Sequence, residues 1–147
     1  MKITEILNKI GNNSKSSQKE IASTSHKKRQ SVLKICANNI KGNMKNIIDA
    51  NKQDVDDAKK SNLKTSYVDR LTLDPERILG IVKSLDEISE LPDPLNRKLA
   101  EWERPNGLKI SRKPTPLGVL GIIFESRPNV TVDAAGLSIK SGNSVIL

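Results

Sequence analysis

The sequence predicts an α/β fold in which N-terminal helices and a β-hairpin lead into a βαβ unit. Three observations predict it. Apolar residues recur at helical spacing through the first sixty residues and again over 74–91. A short alternating segment with a turn signal, "KLAEWERPNGLKISRKP", follows those helices. Residues 116–147 then read "PLGVLGIIFESRPNVTVDAAGLSIKSGNSVIL": an apolar, β-branched run, a polar knot, a helical pattern and a second apolar run. The expected organisation is a helical region over 1–91, a hairpin and linker over 92–115, and the βαβ unit over 116–147.

Ile3, Ile6, Leu7 and Ile10 fall at i, i+3, i+4 and i+7, with Gly11 placed to end that helix. The hydroxyls of "STS" at 23–25 can cap a second helix that carries Val32, Leu33, Cys36 and Ile40 along one face before Gly42. Ile47, Ile48, Val55 and Ala58 continue the spacing to about Lys60. In "TLDPERILGIVKSLDEISEL", Asp74 suits the cap and Pro75 the first helical position, while Ile78, Ile81, Val82, Leu85 and Ile88 form the buried face. Pro92 and Pro94 stop this helix. In the hairpin, "RPNG" offers Pro at the second turn position and Gly at the fourth. The run "GVLGIIF" has no alternation, as expected of a strand covered on both faces. Val130, Ala134 and Leu137 mark the crossover helix, with Ala135 and Ile139 beside them, and Gly142 suits its C′ position. "SVIL" resumes the sheet beside the first strand.

The composition, 35% hydrophobic and 29% charged, is that of a soluble chain, and no apolar run approaches the roughly 18 residues of a membrane span. The N-terminus has no continuous apolar core of the signal-peptide kind, so a cytoplasmic location is expected. The single cysteine, Cys36, excludes an intrachain disulfide and agrees with a reducing compartment. Its place on a helical apolar face marks it as a packed thiol rather than a nucleophile. Residues 1–60 hold 13 Lys and Arg against 6 Asp and Glu, within a net charge of +8 for the whole chain. No aromatic residue interleaves with these lysines to stack on a base, so they read as a solvated helical face and not as a specific nucleic-acid surface. No metal site is expected.

In open α/β sheets the ligand site lies beyond the carboxyl ends of the strands, where "ESRPN" is placed. Arg127 can clamp a phosphate or carboxylate, Asn129 can donate amide hydrogen bonds, and the following helix points its free N–H groups into the same space. Each residue also has a structural alternative. Arg127 can pair with Glu125, Asn129 can cap the helix, and Pro128 can shape the turn.

The segment "PLGVLGIIFESRPNVTVDAAGLSIKSGNSVIL" closely resembles the gamma-glutamyl phosphate reductase (glutamate-5-semialdehyde dehydrogenase) family of the aldehyde dehydrogenase superfamily. The likeness extends upstream through "DRLTLDPERILGIVKSLDEI" and "IIDANKQDVDDAKK". The resemblance implies the opening of an incomplete Rossmann-like aldehyde dehydrogenase domain. It also implies NADPH-dependent reduction of L-glutamyl 5-phosphate to L-glutamate 5-semialdehyde, in proline biosynthesis. It makes Asn129 the counterpart of the superfamily's oxyanion donor, and Glu125, Ser126, Arg127 and Pro128 its substrate- or cofactor-binding neighbours. The family's nucleophilic cysteine lies well downstream and has no counterpart here, and the glycine-rich continuation that follows "GNSVIL" is also absent. The chain is therefore expected to represent about the first third of a family-length enzyme and to be inactive alone. Its expected partners are the missing C-terminal part or further copies of itself. The competing expectation is a non-catalytic module that associates with a separately encoded remainder.

Overall fold

The computed structural model describes residues 2–147. Among the described residues there are six helices and two small sheets: α1 (Ile3–Ser23), α2 (His26–Gly42), α3 (Met44–Lys60), α4 (Thr65–Leu71), α5 (Pro75–Glu90), β1 (Ala100–Glu103), β2 (Lys109–Arg112), β3 (Val119–Gly121), α6 (Pro128–Lys140) and β4 (Ser144–Ile146). Among the described residues no helix is long and apolar enough to cross a membrane.

The local chemistry works as the spacing predicts in α2 and α5. Ser25 Oγ accepts from Lys28 N–H at 3.3 Å, and Asp74 Oδ1 accepts from Arg77 N–H at 2.7 Å, each satisfying a donor that the first helical turn leaves unpaired. Pro75 sits at the head of α5, where its missing N–H costs nothing. Leu33 and Ala37 of α2 meet Val82, Leu85 and Ile88 of α5 in the core, with Cys36, Ile40, Val132 and Ile139 packed against it. Cys36 is thus a packing residue at the core margin. Val32, placed on the same face by spacing, is instead 38% exposed.

Three expectations require correction. Helix α1 does not stop at Gly11 but continues to Ser23. One interior glycine costs only about 1 kcal/mol relative to alanine, and the extension brings α1 against β4 and β3. The strand read as "GVLGIIF" is only Val119–Gly121, and it is not covered on both faces, since Val119 is half-exposed and Ile123 fully so. Helix α6 buries a different face from the one marked by Val130, Ala134 and Leu137. Its contact with α5 runs through Val132, Gly136 and Ile139, while Leu137 is half-exposed beside Leu120 and Ile122 in an open apolar groove. Helix α4 was not anticipated, because seven residues are too few for a periodic pattern to show.

Strands β1 and β2 pair antiparallel, with Trp102 opposite Ile110. Gly107 N–H closes the "RPNG" turn on the Arg104 carbonyl at 2.8 Å. Strands β3 and β4 pair parallel, with Leu120 opposite Val145. Asn143, 4% exposed, fastens this pair: its Oδ1 accepts from Gly118 N–H at 2.9 Å and its amide donates to Ser141 Oγ at 2.9 Å. Gly142 precedes it at φ +72°.

Two buried cations tie the helices together. Arg29, 3% exposed, donates to Asp93 Oδ1 at 2.9 Å and to the Thr24 carbonyl, joining α2 to the end of α1 and to the loop after α5. Lys140, 2% exposed, donates from the end of α6 to the Ser89 carbonyl of α5. Burial lowers the Lys140 ammonium below the ordinary lysine range. Burial also pushes Asp93 upward, but the bonds from Leu95 N–H and the Asn96 amide and the Arg29 charge outweigh it, leaving its carboxyl below the ordinary 3.8.

The structure generates two stability predictions. A carboxyl group with a depressed folded-state pKa contributes stability above its ordinary range and loses it as pH falls through the folded value. The melting temperature should therefore drop below about pH 4, and Asp93→Asn should flatten that acid limb while costing roughly 3 kcal/mol near neutrality by leaving Arg29 unpaired. Denaturant melts of both proteins across pH check this; an unchanged acid limb would exclude the pair as its source. Gly142→Ala should cost about 1–3 kcal/mol, because a Cβ there would lie 2.9 Å from Leu95 Cδ1 on a backbone with positive φ. Urea denaturation measures it.

Candidate functional site

The polar knot lies in the loop from β3 to α6, at the carboxyl end of the parallel pair. Ser126 takes φ +48°, reversing the chain so that Arg127 stands at the cap position and Pro128 opens the helix. The Arg127 side chain caps nothing, and it has no carboxylate partner among the described residues. The Asn129 side chain likewise makes no hydrogen bond among them. The two bland alternatives, Arg127 paired with Glu125 and Asn129 as a cap, are therefore absent from the structure. Pro128 does shape the turn, at the first helical position.

Arg127, Pro128 and Asn129 line one wall of a cleft of about 460 Å³. Glu125 and Ser126 lie outside that lining. The opposite wall comes from the end of α4, the α4–α5 connection and α5 as far as Ser84, contributing Arg70, Arg77 and Ser84 among others. Sequence reasoning missed this wall entirely. The signal for it was the polar "DRLT" at 69–72, one residue short of the α5 cap.

Two clamps hold that wall in place. Asn51 of α3, 5% exposed, donates from Nδ2 to the Leu71 carbonyl at 2.9 Å and accepts at Oδ1 from Leu73 N–H at 2.7 Å. Arg77 of α5 donates to the Asp69 carbonyl, to the Thr72 carbonyl at 2.9 Å and to Asp69 Oδ1 at 2.9 Å. The connection is thus pinned from both sides by side chains whose donors are occupied. Arg70 is not so used. Its guanidinium lies 5.7 Å from the Tyr67 ring centroid, a cation–π distance, and has no carboxylate partner among the described residues. On the facing helix, Asp133 accepts from Ser84 Oγ at 2.6 Å.

No family model matches the chain. A gamma-glutamyl phosphate reductase from Parvibaculum lavamentivorans is 46% identical over 145 residues, which is 99% of this chain and 34% of the relative. The chain is similar, along nearly all of its length, to one part of gamma-glutamyl phosphate reductase. A reductase from Thermoanaerobacter sp. is 57% identical over 104 residues, 71% of this chain and 25% of the relative. The solved structure of the Thermotoga maritima gamma-glutamyl phosphate reductase superposes with a TM-score of 0.88 at 34% identity, covering 91% of this chain and 32% of that one. The Saccharomyces cerevisiae enzyme gives 0.90 at 33% identity, covering 95% and 35%. The chain thus spans about a third of the length of the curated relatives it matches, and its α/β fold matches their N-terminal part.

Side chains that carry no structural bond should be removable without cost to stability. Arg127→Ala and Asn129→Ala should each shift the melting temperature by no more than about 2 °C. Circular-dichroism melts decide this; a large loss in either would give that residue a structural role.

Proposed function

We propose that the chain supplies the N-terminal part of a reductase that converts L-glutamyl 5-phosphate to L-glutamate 5-semialdehyde with NADPH, releasing phosphate. Similarity at 46% identity along 99% of the chain to a protein of that name carries the reading. The cleft at the carboxyl end of the parallel strands agrees with it. The reaction needs a thiolate to attack the acyl phosphate, donors for the oxyanion that forms, and a hydride source. In this reading the Asn129 amide donates to the oxyanion and Arg127 holds the phosphate, as a bidentate guanidinium suits. Pro128 fixes the start of α6, so that the free N–H groups of its first turn face the same charge.

The residues present do not form a cradle for a nicotinamide dinucleotide. The loop has no glycine between Gly121 and α6, and Pro128 withholds an N–H where a pyrophosphate would seek one. We assign cofactor binding, like the nucleophilic thiolate, to the two thirds of the relatives' length that this chain does not match. Cys36, packed at the core margin, is not the nucleophile. The region over 116–147 is read as the opening of the dinucleotide-binding domain, 1–91 as its helical flank and 92–115 as the hairpin between them. Cytoplasmic location belongs to the same reading.

A chimera tests it. Replacing the matched third of the Thermoanaerobacter reductase with these 147 residues should retain semialdehyde-dependent NADPH formation, whereas the isolated chain should give none. Asn129→Ala in the chimera should lower kcat by about 10²–10³-fold, the range for loss of one oxyanion donor. A correctly folded but inactive chimera would overturn the proposal, as would an Asn129→Ala chimera with undiminished kcat.

A further inference from the structure

Resting on that reading, we propose that the cleft between the α4–α5 connection and α6 recognises the α-amino acid end of the substrate, with Asp133 accepting from the α-ammonium and Arg70 holding the α-carboxylate.

The argument begins with which charges in the cleft are already satisfied. Arg77 and Asp69 already pair with one another at 2.9 Å, and Arg77 also donates to two carbonyls, so their charges offset each other. Asp133 is different. It is half-buried, its one hydrogen bond comes from the neutral Ser84 hydroxyl at 2.6 Å, and no cation lies within ion-pair distance of it among the described residues. A carboxylate with no counter-charge beside it is open to a ligand ammonium. Arg70 and Arg127 are unpaired cations on the same cleft, each with a planar fork suited to a carboxylate or phosphate.

The free groups therefore comprise one anion and two cations, the complement of an acyl phosphate that also carries an ammonium and a carboxylate. Spacing agrees with this division. Asp133 lies one turn beyond Asn129 on α6, so the two share a helix face with Cβ atoms about 5–6 Å apart, within the span of a glutamyl side chain. An oxyanion donor at Asn129 and an ammonium acceptor at Asp133 would then grip opposite ends of one small molecule. A cleft of about 460 Å³ accommodates such a molecule.

The test uses the 147-residue chain itself, with L-glutamate as probe and glutarate, which lacks only the ammonium, as its control. In amide-resolved NMR titrations, L-glutamate should shift resonances over 69–73, at Ser84 and over 127–133 with millimolar affinity, and glutarate should bind about tenfold more weakly. Asp133→Asn, which keeps an acceptor for Ser84, should abolish that preference while leaving the spectrum dispersed. Arg70→Gln should weaken both ligands. Equal response to the two diacids in the parent chain, a preference that survives Asp133→Asn, or no response in the cleft would overturn the inference. An active chimera together with any of these results would leave the reductase reading intact, whereas an inactive chimera would remove that reading first.

Discussion

The burial of Arg29 is the constraint on which the packing depends. A guanidinium only 3% exposed must be paired, since an uncompensated charge in such a place costs several kcal/mol. Asp93 answers it, and does so from a loop wound about its own carboxylate, which also accepts from Leu95 N–H at 3.1 Å and from the Asn96 amide at 2.5 Å. The same guanidinium reaches the Thr24 carbonyl, so one charge fixes the corner between α1 and α2 and the exit from α5. With α5 held against α2, α6 can lie close against both. At Gly136 a Cβ would stand only 3.0 Å from Leu85 Cδ2, and Lys140 closes the contact on the Ser89 carbonyl. The start of α6, and with it Arg127 and Asn129, is thereby set opposite the α4–α5 connection.

The cleft separates its polar side chains into those that build it and those the fold leaves free. Asn51 and Arg77 use their donors on backbone carbonyls and hold a short, irregular connection that has little ladder of its own. The side chains of Arg70, Arg127 and Asn129 make no hydrogen bonds among the described residues. Such a division suits a binding site, because rigid supports reduce the ordering cost when a ligand engages the free groups. It also explains why neither wall suffices alone. The loop supplies an amide and a cation, and the helical wall supplies the second cation and the hydroxyl that orients Asp133.

The outer face of the βαβ unit is the opposite case. Leu120, Ile122, Val130 and Leu137 line an open apolar groove, with Leu117 and Ile123 exposed nearby. These side chains leave an apolar surface open beside β3 and α6.

The sequence by itself determined the elements whose signals are local. Asp74, Pro75 and the apolar spacing after them define α5, Ser25 starts α2, and "RPNG" closes the hairpin, because caps, turns and periodic faces are settled within a few residues of the chain. The "ESRPN" knot was legible for the same reason, through a strand-to-helix switch and a helix-opening proline. Only the tertiary structure decided which face of α6 is buried, how far α1 runs past Gly11, and that Arg29 and Lys140 are internal. It alone brought residues 69–84 to residues 127–133. These outcomes depend on partners remote in sequence, as Asp93 is from Arg29 by 64 positions. The free energy of burying a charge or a methyl group is set by what the rest of the chain places against it, which no local pattern encodes.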